Sequence, residues 1–130
     1  MLETQLSLRI DWSELDAFGH VNNVMFMKYV QAARLNYVEQ IGLMNLYRSA
    51  NVGFMVAEAA CTFKKPLHFP GSVHLVTRLL SSGNTSFVLE HTITNGDGEL
   101  VAIAKDVLVV YDFSRQEKCA IPSSIRQQLV

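Results

Sequence analysis

Cysteine and proline are scarce in this chain, charge never gathers into a run of one sign, and no apolar stretch is long. Each shortage removes a class of function. The two cysteines, Cys61 and Cys119, stand far apart with no CxxC and no histidine at ligand spacing, which excludes a disulfide-stapled scaffold and a zinc motif. Both read as reduced structural thiols, and no metal or cofactor is expected. Eleven basic against twelve acidic residues give a formal net charge of -1, which leaves no electrostatic footprint for nucleic acid or an anionic membrane. No window is apolar for long enough to cross a bilayer, so no membrane partner is expected. The opening MLETQLSLRIDW lacks a basic segment followed by an apolar core and a cleavage site, and a cytoplasmic address is expected. No repeat, linker or low-complexity stretch divides the 130 residues, which read as one domain, 1–130. The mean hydropathy of +0.17 is high for a small soluble monomer and points to apolar surface hidden in a second copy.

What is present is a change of period along the chain. Leu6, Leu8, Ile10 and Trp12 alternate with polar residues, the period of a strand with one buried face. Phe26, Val30, Ala33, Tyr37 and Ile41 then recur at spacings of three and four, predicting a helix from about Asn23 to Ile41 with Lys28 and Glu39 on its solvated side. Asn22 suits the N-cap and Gly42 the stop. A short helix is expected over Leu43–Ser49, then strands: Phe54–Phe69, interrupted at Pro66; Val73–Leu79 after the turn at Pro70–Ser72; Phe87–Ile93 after SSGNTS; and Leu100–Tyr111 after NGDG at Asn95–Gly98. A polar tail with Pro122 follows. The class is α+β, an antiparallel sheet with one helix of roughly 28 Å lying across its concave face.

The stretch DAFGHVNN, Asp16 to Asn23, carries the chemistry. A helix start presents unpaired amides and a positive dipole end, suited to a developing oxyanion. Asn23 sits where those amides begin, and Gly19 lets the chain reverse so that the Asp16 carboxylate returns to the helix entrance. Such an acid can attack a carbonyl or deprotonate water. The competing reading makes Asp16 a turn or cap residue and His20 a hydrogen-bonding structural group. Arg34 falls inside the apolar arc of the helix, and a buried guanidinium needs a carboxylate. Of Glu58, Asp11 and Asp16, a pair with Glu58 is expected, pinning helix to sheet.

Arg9 to Leu43, with its paired acidic turn ending in Asp16, GHVNN at Gly19–Asn23, Tyr29, and Ala33-Arg34, resembles the N-terminal signature of hotdog-fold acyl-CoA thioesterases of the 4-hydroxybenzoyl-CoA thioesterase type. VAEAACTFKKPLHFPGSVHL, LLSSGNTSFVLEHTI and VLVVYDFSRQEKCAIP resemble the family's remaining strands, so the likeness covers nearly the whole chain. It implies a hotdog fold, a five-stranded antiparallel sheet wrapped around one long helix. It also implies homodimers joined edge to edge, often paired into homotetramers, with an active site at the dimer interface. There Asp16 acts as nucleophile or general base on the thioester and the Asn23 amide polarises the carbonyl. Coenzyme A is part of the substrate rather than a cofactor, and an acyl-carrier-protein thioester is the alternative. Some relatives place tyrosine or histidine at the position of Asn23, whose amide side chain cannot shuttle a proton, which leaves His20 as the nearby titrating group. Lys64, Lys65, Arg78 and Ser86 are candidate contacts for the coenzyme, and Phe26, Met27, Val30, Phe54 and Met55 for the acyl group. A thiol leaves readily as thiolate, and a sparse site therefore suffices. The competing functions are a non-catalytic acyl-CoA or acyl-carrier binding module and, third, a hydratase or dehydratase.

Overall fold

The computed structural model describes residues 2–129. Strand β1 (Glu3–Arg9) leads through a 3₁₀ turn at Trp12–Glu14 into α1 (Asn23–Gln40) and α2 (Leu43–Ala50). The strands β2 (Val52–Phe63), β3 (Ser72–Ser82), β4 (Ser86–Asn95) and β5 (Leu100–Asp112) follow, then a two-residue strand β6 (Glu117–Lys118), a helical turn α3 (Ser123–Arg126) and a 3₁₀ turn at Gln127–Leu129. The long strands form one antiparallel sheet in the order β1-β3-β4-β5-β2, and β6 pairs with the end of β5. β1 and β2 therefore sit on opposite edges, and the connection between them must cross the sheet. α1 is that crossing.

The helix lies where its stripe dictates. Phe26, Tyr29, Val30, Ala33, Tyr37 and Ile41 are all buried, each large apolar side chain contributing about 1.5–3 kcal/mol. Asn22 caps the start, its side chain accepting from the Val24 amide at 3.1 Å. Gly42 stops the helix at φ +87°, a left-handed conformation that costs a residue with a Cβ. Two of the sequence expectations fail here. Trp12 is 71% exposed, because the Asp11 capping box turns the chain out of the strand two residues early. The tail after β5 also folds: Ile121, Ile125 and Leu129 are buried against the α1 end of the core.

Arg34 is largely covered, with 11% of its side chain exposed, as its place on the helix requires, but its partner is Asp106 rather than Glu58. Nε donates to Asp106 Oδ2 at 2.9 Å and a terminal nitrogen to Oδ1 at 3.1 Å. Glu58 lies exposed on the β2 edge, just past a bulge, whereas Asp106 points inward from the middle of β5. His91 Nε2 donates to Asp106 Oδ2 at 2.7 Å, and Thr77 Oγ1 meets His91 Nδ1 at 2.8 Å. This polar belt crosses three strands and the helix between two apolar clusters, one around Phe26 and Val30, the other around Tyr37 and Leu43.

β2 is the unusual strand. Residues 55 to 60 are exposed on both faces, Met55, Val56 and Phe63 are 49%, 42% and 47% exposed, and no strand among the described residues pairs with its outer edge.

Candidate active site

The turn before α1 is built as a short ladder. Leu15 and Val21 form an antiparallel bridge, the Asp16 amide donates to the His20 carbonyl at 2.7 Å, and Gly19 takes φ +80° to close the reversal. Asp16 Oδ1 accepts from the Phe18 amide at 2.8 Å and the His20 amide at 3.2 Å. Its carboxylate is therefore held in one orientation by its own turn. Oδ2 has no hydrogen bond among the described residues.

A hollow of about 350 Å³ opens at this point, and Asp16, His20 and Asn23 line it together with Phe26, Phe63 and Lys64. Val21, Lys65 and Pro66 complete the wall. The capping pattern leaves one donor over. Asn22 satisfies the Val24 amide with its side chain and the Met25 amide with its carbonyl, while the Asn23 amide has no partner among the described residues. No acidic residue lies in the first turn of α1, so nothing on the helix itself neutralises its positive end. Phe26 and Phe63 meet edge to face at 5.0 Å and make the hollow's apolar side. His20 stacks edge on against His68 at 4.9 Å, and the two residues also bridge through the backbone.

The two lysines differ. Lys65 Nζ pairs with Glu99, whereas Lys64 forms no ion pair among the described residues. Arg78 is engaged on the sheet surface by Glu90 and lies outside the hollow. Ser86 begins β4, opposite Val109, and neither it nor Met27 of α1 lines the hollow. Val30 is wholly buried in the core. Phe54 lines a separate hollow of about 150 Å³ with Met44, Tyr47, Gly53 and Phe113 at the opposite end of β2, and Met55 is exposed beside it. Within one chain, then, six of the expected contact residues lie outside the hollow that Asp16 lines: Met27, Val30, Phe54, Met55, Arg78 and Ser86.

One residue the sequence reading passed over is buried beside the turn. Glu14 is 4% exposed, and its carboxylate meets the Asp11 amide, the Tyr29 hydroxyl and Lys28 Nζ. Burial pushes its pKa up, but the three donors outweigh burial and hold the carboxyl below its ordinary value. Its own burial, together with the same contact, pushes the Tyr29 phenol up. The signal was the Asp11–Glu14 spacing of a capping box. Among the described residues no cluster of three or more metal-ligating side chains occurs, and no helix is long and apolar enough to cross a membrane.

Residues 10–129 match the Thioesterase-like superfamily. The long-chain acyl-CoA thioesterase FadM of Escherichia coli is 24% identical over 129 residues, 98% of this chain and 96% of that protein. The gentisyl-coenzyme A thioesterase BH1999 superposes with a TM-score of 0.86 at 27% identity, covering 98% of this chain and 100% of that one. A thioesterase from Thermus thermophilus, solved with coenzyme A and Zn, gives a TM-score of 0.84 at 27% identity over 96% and 90% of the two chains. With a curled antiparallel sheet around one long helix and a match over nearly its whole length, the chain belongs to the thioesterase-like superfamily and carries the hotdog fold.

Proposed function

We propose that this protein hydrolyses an acyl-CoA thioester to a free acid and a thiol, with Asp16 as the reacting acid and the Asn23 amide as the oxyanion donor. The observation that carries this is a shared hollow. A carboxylate with one oxygen unbonded and a helix-start amide unpartnered among the described residues line the same opening. As general base, Asp16 takes a proton from water, and the resulting hydroxide attacks the thioester carbonyl. The carbonyl oxygen becomes an oxyanion and accepts from the Asn23 amide at the positive end of α1. The C–S bond then breaks and the thiol leaves as thiolate, needing little acid help. As nucleophile, Asp16 instead forms a mixed anhydride that water cleaves. His20 lines the same hollow, and Lys64, which forms no ion pair among the described residues, is the candidate to meet a phosphate of the coenzyme. An acyl-carrier-protein thioester would present the same pantetheine arm.

The working unit is a homodimer joined through β2. Its unpaired edge and apolar exposure need a cover. Two copies of one strand paired antiparallel about a two-fold axis bring opposite ends together. The Phe63 end of one β2 then lies beside the end of the partner's β2 that carries Phe54 and Met55. On this arrangement both residues serve the neighbouring copy's acyl pocket, which their remoteness within one chain does not allow.

The competing reading is a non-catalytic acyl-CoA binding module, favoured by the two turn bonds that Asp16 Oδ1 already makes. Thiol release across short, long and aromatic acyl-CoAs, with Asp16→Ala as control, separates them. Turnover that depends on Asp16 supports hydrolysis. Binding without turnover in either form supports the module.

A further inference from the structure

Glu14 stands two residues before Asp16, and both of its carboxylate oxygens are occupied. Oε1 accepts from the Asp11 amide at 2.8 Å and the Tyr29 hydroxyl at 2.7 Å, and Oε2 from Lys28 Nζ at 3.0 Å. Tyr29 and Lys28 belong to α1, so one side chain joins the segment ahead of the turn to the helix behind it. The backbone repeats the tie. The Asn22 amide, at the helix cap, donates to the Glu14 carbonyl at 2.9 Å, and the ladder continues through Leu15–Val21 and Asp16–His20. Residues 14 to 16 are thus stitched to residues 22 to 20, and Glu14 moors the stitched pair to α1.

A capping box alone does not call for this. Asp11 and Glu14 close a 3₁₀ turn of three residues, which an exposed glutamate can do. Burying the carboxylate is costly unless several donors meet it, and the donors found here come from the helix whose start lines the hollow. The burial therefore serves the relation between turn and helix rather than the turn by itself.

We propose that Glu14 is a positioning residue for the hydrolysis, fixing through Tyr29 and Asn22 where the Asp16 carboxylate stands relative to the Asn23 amide. This rests on the reading of Asp16 and Asn23 as the reacting pair. Glu14 does not line the hollow and acts only through geometry.

Two variants test it without emptying the core. Tyr29→Phe keeps the ring in its cluster and removes the donor, while Glu14→Gln keeps an acceptor and removes the charge. Each is compared with the unaltered protein and combined with Asp16→Asn, at a temperature where circular dichroism shows all forms folded. The expected result is a roughly tenfold loss of kcat for Tyr29→Phe with KM within about twofold, since displacements of about 1 Å carry large rate costs. Glu14→Gln loses less, and neither change alters the residual rate of Asp16→Asn. Unchanged kcat in both folded variants, or an equal loss in the Asp16→Asn background, overturns the positioning role and leaves a structural one. If Asp16→Asn alone keeps full activity, the assignment of Asp16 fails first, which is a distinguishable outcome.

Discussion

Arg34 and Asp106 show most directly what a single side chain is worth in this protein. Asp106 is fully buried, and Arg34→Met removes its bidentate partner while leaving the carboxylate in the core. Breaking such a pair costs about 3–5 kcal/mol, so the urea midpoint should fall accordingly. Glu58→Gln, on the exposed edge, should stay within about 0.5 kcal/mol. An Arg34→Met protein as stable as the original would remove the belt from the account. That Arg34 is largely covered could be read from its place in the helical stripe. Its partner could not, because Asp106 lies 72 positions away and only the pairing of β5 beside β4 turns it inward. Glu58, the expected partner and nearer in sequence, lies on the stretch of β2 that is exposed on both faces. The site was legible in the same uneven way: Asp16, His20 and Asn23 are neighbours in sequence and share one hollow, while Phe54 and Ser86 are placed by strand topology that local pattern does not encode.

At the scale of elements, α1 holds its start and end by separate devices that can be removed one at a time. Asn22→Ala takes away the side-chain acceptor for the Val24 amide and should cost about 1 kcal/mol. Gly42→Ala meets no atom within 4 Å, so its cost is backbone strain alone, about 1–2 kcal/mol. Thermal unfolding of both variants checks this, and a Gly42→Ala protein with an unchanged Tm contradicts the assignment of the stop. These ends were visible in the sequence because caps are local chemistry. The strands were visible for the same reason, alternation bounded by turn residues. The strand expected to reach Phe69 ends at Phe63, and the tail helix carried no capping side chain to announce it.

The whole molecule has an acid limit set by two buried carboxylates. For Asp106 and Glu14 burial acts to raise the pKa, but donors from His91 and Arg34, and from Asp11, Tyr29 and Lys28, leave both below their ordinary values. Folded values lie below unfolded ones near 4, so the stability these groups contribute is complete above that range and is lost as pH falls through the folded values. The urea midpoint should therefore drop as pH falls below about 4, less steeply in Glu14→Gln, and a flat profile would count against both assignments. Assembly is the other property of the whole. Val56→Lys places a charge on the exposed edge strand. Sedimentation should show the unaltered chain as a dimer or larger and the variant shifted towards monomer with reduced thiol release. A fully active monomer contradicts a site completed by two copies.

The most direct test lies in Asp16→Asn. Asparagine can still accept from the Phe18 and His20 amides, so the turn and the fold survive, but it cannot take a proton or attack a carbonyl. Thiol release from the best acyl-CoA of a panel should fall by about 10²–10⁴-fold while the Tm stays close to that of the unaltered protein. A folded Asp16→Asn protein that releases thiol at the original rate would contradict the account.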